Sequence, residues 1–187
     1  MENLKNRKIA ILSDNGFEQS ELIEPQKALL DAGATVHVIS AQSGKIKAWD
    51  EKNWGVDVKV DVDLKNANPE DYDGLMVPGG VMNPDTMRAD ENYVNFAKAI
   101  FEAGKPIAAI CHGPQLLIET GALAGRKMTS YHSIKTDLIN AGVSWEDSEV
   151  VVDQGLVTSR SPKDIPAFNK KMIEEFKEGV HEGQRAL

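Results

Sequence analysis

The chain has 187 residues, 41% of them hydrophobic and 27% charged, which is ordinary for a soluble globular protein and long enough for one domain, 1–187, with a sizeable core. A formal charge of -8 with no basic cluster argues against a phosphate-backbone partner such as nucleic acid. The first apolar run is too short for a signal peptide and no later segment approaches membrane-spanning length, so a cytoplasmic protein is expected.

Taken in order, KIAILSD is a short apolar run closed by turn residues, and ELIEPQKALLDAG behind it has helical spacing. TVHVIS repeats the strand pattern. KIKAWDEKNWGVDVKVDVDL then alternates apolar and polar residues through Val56, Val58, Val60 and Val62, which predicts an appended hairpin or edge. DGLMVPGG precedes the helical ENYVNFAKAIFEAG, where Phe96, Ile100 and Phe101 form a core stripe, and PIAAIC precedes GPQLLIETGAL. SEVVVDQGLVTSR reads as two strands around Asp153-Gln154-Gly155. SPKDIPAFNKKMIEEFKEGV is a closing helix begun at a Ser-Pro cap, and HEGQRAL, lacking an apolar stripe, should fray. Strands alternating with helices around a parallel sheet make the fold class α/β.

The chain has one cysteine, Cys111, so an intramolecular disulfide is impossible. The thiol is then a small buried hydrophobe, an intermolecular link or a reactive group. Its setting favours the last. In open α/β sheets ligands gather where strands give way to helices, and Cys111 stands at such a junction with small residues, Ala109 and Gly113, on either side. The following helix N-terminus should favour thiolate over thiol and so acidify the cysteine.

His112 is either the proton acceptor for this thiol or a surface turn residue; only a sharp turn would bring its ring to the sulfur. His132 competes for that role, while His37 and His181 read as structural or solvated. Glu18 and Glu21 share a face if their segment is helical, either to hydrogen-bond the thiol or as ordinary first-turn acids. Gly79-Gly80 at a strand end permits N–H groups to face an incoming oxygen. No nucleotide-binding glycine pattern and no metal-ligand spacing is present, so no cofactor and no metal are expected.

Together, GFEQSE, MVPGG, AICHGP, GRKMTSYHSIK and VVVDQGLVTSR resemble the ThiJ/PfpI family of the class I glutamine amidotransferase-like superfamily, over nearly the full chain. The resemblance implies a flavodoxin-like three-layer sandwich with the cysteine on a strained elbow. By position, it makes Cys111 the nucleophile, His112 its base and Glu21 the carboxyl bonded to the thiol, with Glu18 beside it. Gly79, Gly80, Gly113 and Tyr131 would form the substrate and oxyanion pocket, with the N–H of His112 as a second oxyanion donor. The third acid comes from a neighbouring subunit and corresponds here to Asp85, which implies a homo-oligomer, dimer to hexamer. The late His-x-Glu pair of amidotransferases has no counterpart beyond His181-Glu182.

Three functions share this thiol: hydrolysis of small carbonyl compounds or glycation adducts in stress defence, intracellular peptide hydrolysis, and a non-enzymatic redox-sensing or holdase role.

Overall fold

The computed structural model describes residues 4–185. Successive elements follow the alternation expected from the sequence. The first half runs β1 (Lys8–Leu12), β2 (Phe17–Glu18), α1 (Gln19–Asp31), β3 (Thr35–Ser40), β4 (Lys45–Asp50), β5 (Asn53–Lys59), β6 (Val62–Asp63) and β7 (Gly74–Val77). After it come α2 (Met82–Arg88), α3 (Glu91–Glu102), β8 (Ile107–Ile110), α4 (Pro114–Ile118), β9 (Lys127–Met128) and α5 (Lys135–Asn140). The chain closes with β10 (Ser144–Trp145), β11 (Val150–Asp153), β12 (Leu156–Ser159) and α6 (Ile165–Glu178).

The central sheet has seven strands in the order β11-β12-β8-β7-β1-β3-β6, parallel throughout except for the antiparallel β11–β12 pair. Because side chains alternate along a strand, β1 divides its apolar residues between two cores. Ala10 and Leu12 join the cluster of Tyr93, Phe96 and Ile100, while Ile9 and Ile11 join Leu22, Leu29, Phe168 and Met172. Strands buried on both faces in this way produce the unbroken apolar runs seen in the sequence, and the result is a flavodoxin-like α/β sandwich.

The predicted hairpin exists as β4–β5, but it pairs with β2 in a separate three-stranded sheet instead of extending the central one. The alternating valines accordingly split: Val58 is buried under the hairpin, Val56 is exposed, and Val62 belongs to β6. Glu18 lies in β2 and caps α1 without being helical itself.

Two other expectations need correction. The helix predicted over GPQLLIETGAL stops at Ile118, where the Thr120 hydroxyl donates to the Leu117 carbonyl at 2.7 Å and Gly121 turns to φ 75°. The carboxyl end does not fray over its described part. Glu182–Arg185 forms a 3-10 turn, the His181 N–H donates to the Gly104 carbonyl at 2.8 Å, and buried Gln184 accepts from Arg126 at 2.7 Å. Residues 186 and 187 lie outside the described part. Arg126 is itself buried and pairs with Asp153 at 3.2 Å.

That pair fixes the first prediction. Asp153→Ala leaves a buried guanidinium short of its charge partner and should lower the unfolding free energy by about 3 kcal/mol in urea titration. A loss below roughly 0.5 kcal/mol would mean the pair behaves like a surface contact.

Candidate active site

β1, β7 and β8 all end on one edge of the central sheet, and the loops that leave them meet there. Cys111 immediately follows β8 with φ 62°, a left-handed conformation that side chains with a Cβ rarely adopt and that costs of order 1–3 kcal/mol. The surroundings over-determine it. The Cys111 N–H donates to the Ser159 carbonyl at 3.0 Å, its carbonyl accepts from Tyr131 at 2.9 Å, and the next turn closes with Gly113 N–H on Ile110 at 2.9 Å.

This bend answers the question about His112. The imidazole folds back so that Nδ1 lies 3.2 Å from the Cys111 sulfur, and Nε2 lies 3.1 Å from the Ser133 hydroxyl. Ser133 was not singled out in the sequence: it lies 21 positions from His112, within the GRKMTSYHSIK stretch of which only Tyr131 and His132 stand out as candidates. His132, the competing histidine, instead has its ring against Tyr131 at 4.4 Å, and Tyr131 stacks on His112 at 4.9 Å. His37 is structural, 3.1 Å from the Tyr72 hydroxyl.

Glu21, in the first turn of α1, is completely buried, and its Oε2 accepts the Gly79 N–H at 3.0 Å. Burial pushes its pKa up to about 8, so at neutral pH it carries a proton. Cys111 and the backbone of Gly80 also act on this carboxyl, while its Oε1 is buried without a hydrogen-bond partner. Burial also raises the partly exposed Glu18, with the nearby charge of Asp50 adding to the effect.

The expected acidification of the thiol is not what this environment produces. Burial pushes the Cys111 pKa up, and the charge of Glu21 pushes it the same way, against weaker help from the N–H groups of Gly80 and His112. α4 has five residues and begins three positions beyond the cysteine, so its terminus does not reverse the balance. Burial, followed by the neighbouring His132, holds His112 below its usual range and hence neutral at pH 7. The resting pair is therefore thiol and imidazole.

The glycines divide. The backbones of Gly80 and His112 lie near enough to the sulfur to favour its charged form, and Gly80 does the same for Glu21. The N–H of Gly79 is already given to Glu21. Gly113 does not line the pocket; its N–H is used in the turn, and an added Cβ would meet the Val77 carbonyl oxygen at 2.7 Å. Gly113 is thus required by close backbone packing, not by ligand contact.

Cys111, His112, Glu18, Glu21, Gly80 and Tyr131 line one cavity of about 540 Å³, with Ser133, Trp49 and Glu51 also on its wall. A cleft of about 700 Å³ adjoins it, sharing Glu18, Glu51 and Pro162, but it contains no nucleophile. Asp85 is exposed on α2 and is not part of this wall, so within one subunit it does not reach His112. The histidines are less scattered than they looked. At the end of α6, His181 Nε2 lies 3.3 Å from Glu175 and 3.9 Å from Glu178, a grouping that could hold a cation, and none of its members lines the Cys111 cavity.

The electrostatics predict a titration. Thiolate absorbance of Cys111 should appear only above the ordinary cysteine range, about 8.5. Above pH 8 the ionised Glu21 opposes the thiolate, so Glu21→Gln, which stays neutral, should move the thiol midpoint downward. A wild-type midpoint below about 7 would contradict the dominance of burial.

Comparison with known proteins agrees with this architecture. Residues 7–175 match the model of the DJ-1/PfpI family. The chain is 45% identical to "Deglycase PH1704" of Pyrococcus horikoshii over 91% of this chain and 99% of that one. It is 48% identical to "General stress protein 18" of Bacillus subtilis, over 89% and 96% respectively. Among solved structures, a two-domain protein from Anabaena variabilis with DJ-1/ThiJ/PfpI-like and ferritin-like domains superposes with a TM-score of 0.85 at 36% identity, covering 90% of this chain and 48% of that one. A cysteine on a strained elbow, a histidine folded onto its sulfur and a sequence match over most of the length leave one assignment: the chain belongs to the DJ-1/PfpI family.

Proposed function

We propose that the protein is a cofactor-independent cysteine hydrolase of small carbonyl compounds or glycation adducts, acting in stress defence. The observation that carries this reading is the 3.2 Å approach of the Cys111 sulfur to a neutral His112 on the wall of one cavity. Relatives named as a deglycase and a general stress protein support it.

With an aldehyde in the cavity, the sulfur attacks the carbonyl carbon while His112 Nδ1 takes the thiol proton and returns it to the carbonyl oxygen, giving a hemithioacetal. The protonated Glu21 donates to the sulfur as negative charge develops on it, and the N–H groups of Gly80 and His112 stabilise the oxygen. For an α-oxoaldehyde, proton transfer from C1 to C2 converts the adduct into a 2-hydroxy thioester. Water then cleaves the C–S bond and restores the thiol. In a hemiaminal adduct the sulfur takes the place of nitrogen on the former aldehyde carbon: the C–N bond breaks as the S–C bond forms, His112 passes the thiol proton to the departing amine, and the hemithioacetal that results follows the same course.

The cavity at Cys111 is of a size that suits a compact carbonyl compound, while the adjoining cleft of about 700 Å³ leaves room for the peptidase reading that the same assay distinguishes. Cys111→Ser should lower methylglyoxal consumption in chelator-treated buffer by at least about a hundredfold. Unchanged consumption by the serine variant would remove the covalent reading, and thiol-dependent cleavage of a fluorogenic peptide without methylglyoxal turnover would replace it with a peptidase.

The exposed position of Asp85 supports a role towards a second copy, which would make the working protein a homo-oligomer. If so, Asp85→Asn and Cys111→Ser are each impaired, and mixing the two after dissociation and reassociation recovers part of the activity. Mixed samples no more active than the separate variants would place Asp85 outside the chemistry.

A further inference from the structure

His112 can take a proton at Nδ1 only if its other nitrogen already carries one, because a neutral imidazole has one donor and one acceptor. Its tautomer follows from both contacts: a thiol that donates to Nδ1 leaves the hydrogen on Nε2, which then needs an acceptor. In this chain Nε2 meets the Ser133 hydroxyl at 3.1 Å, and no carboxylate is bonded to it.

Ser133 is held for this contact from both sides. The preceding Tyr131 donates its N–H to the carbonyl of Cys111 at 2.9 Å, so the loop is bonded to the elbow itself. Next in sequence, Ile134 is buried in the core with Leu138, and its N–H closes a turn on Tyr131 at 3.2 Å. Between these anchors Ser133 stays on the cavity wall and its backbone has little freedom to withdraw. The Tyr131 ring stacked on His112 fixes the plane of the imidazole; with the Cys111 thiol as the donor at Nδ1, Nε2 carries the hydrogen and the Ser133 oxygen is its acceptor.

We propose that Ser133 is a positioning residue that holds His112 as the Nε2–H tautomer from within the same subunit, keeping Nδ1 free to accept the Cys111 proton. The hydroxyl oxygen accepts from Nε2–H, and its own hydrogen is left for an acceptor on the open side of the cavity. An acid supplied by another copy, Asp85 included, would then act on His112 through this hydroxyl and not by replacing it. The proposal rests on the hydrolase reading for its consequence in turnover, but the tautomer and the reactivity of the thiol can be read without any turnover.

The groups facing His112 are Cys111, Glu18, Glu21 and Glu51 across the cavity and Tyr131 with His132 on the loop, and all are left in place by a change at Ser133. Ser133 is exposed, so Ser133→Ala should fold. The experiment compares wild type, Ser133→Ala, Ser133→Thr and Asp85→Asn by imidazole nitrogen NMR and by the rate at which iodoacetamide alkylates Cys111.

Ser133→Ala is expected to populate the Nδ1–H tautomer and to slow alkylation roughly tenfold, the effect of one lost hydrogen bond. Ser133→Thr, which keeps a hydroxyl, should restore both. Retention of the Nε2–H tautomer and of the alkylation rate in Ser133→Ala would overturn the proposal, as would loss of the tautomer in Asp85→Asn alone. Failure of methylglyoxal turnover in wild type, with these two readouts intact, would count against the hydrolase reading and leave the role of Ser133 standing.

Discussion

Glu21 sits at the start of α1 with no solvent exposure, and an ionised carboxylate in that position would lose its hydration without full compensation. Keeping its proton avoids the cost and turns the group into a donor. Its Oε2 takes the Gly79 N–H and the carboxyl interacts with Cys111, so a single carboxyl joins the loops after β1, β7 and β8. Each of those loops carries part of the pocket. Gly79 must be glycine for the same reason: an added Cβ would stand 2.7 Å from that of Cys111.

The same burial sets the chemistry of the thiol. Burial favours the thiol at Cys111 and the neutral imidazole at His112, 3.2 Å apart. On the proposed reading the charged form arises as the proton moves to His112, inside a cavity where the backbones of Gly80 and His112 favour the thiolate. Their orientation is fixed before reaction by the strained turn at Cys111, so little reorganisation is left for the chemical step. The left-handed φ of 62° is tolerated because hydrogen bonds to Ser159, Tyr131 and Ile110 close around it.

Much of this was legible in the sequence because it depends on local pattern. Apolar runs such as IAIL and IAAI must be strands covered on both faces, and Cys111 followed by His-Gly-Pro cannot continue one. The failures have a common physical origin in tertiary burial. Desolvation of Cys111 depends on residues from α1, β7 and the 130s loop packing over it, and none of these is near in sequence. Ser133 is invisible for the same reason: its role exists only because Tyr131 is bonded to the elbow. The tail was misread because its anchors are polar, and Gln184 reaching Arg126 leaves no hydrophobic periodicity to detect.

Beneath the pocket, a buried polar network supports the glycine loop from the other side. The Asn83 amide donates to the carbonyls of Pro78 at 3.0 Å and Gly79 at 3.1 Å, while its oxygen accepts the Asp14 N–H and the Ser13 hydroxyl. Tyr93 extends the chain by donating to Asp14 at 2.9 Å, and it receives the Ala41 N–H at 2.7 Å. Three loops at the carboxyl edge of the sheet and the helix α3 are thereby tied together by side chains that do not line the pocket. A half-satisfied network of this kind would be costly, so its members hold one another in place. The carbonyls of Pro78 and Gly79 that lead into Gly80 are therefore held by Asn83 and the network behind it, and the pocket and the fold share the same hydrogen bonds.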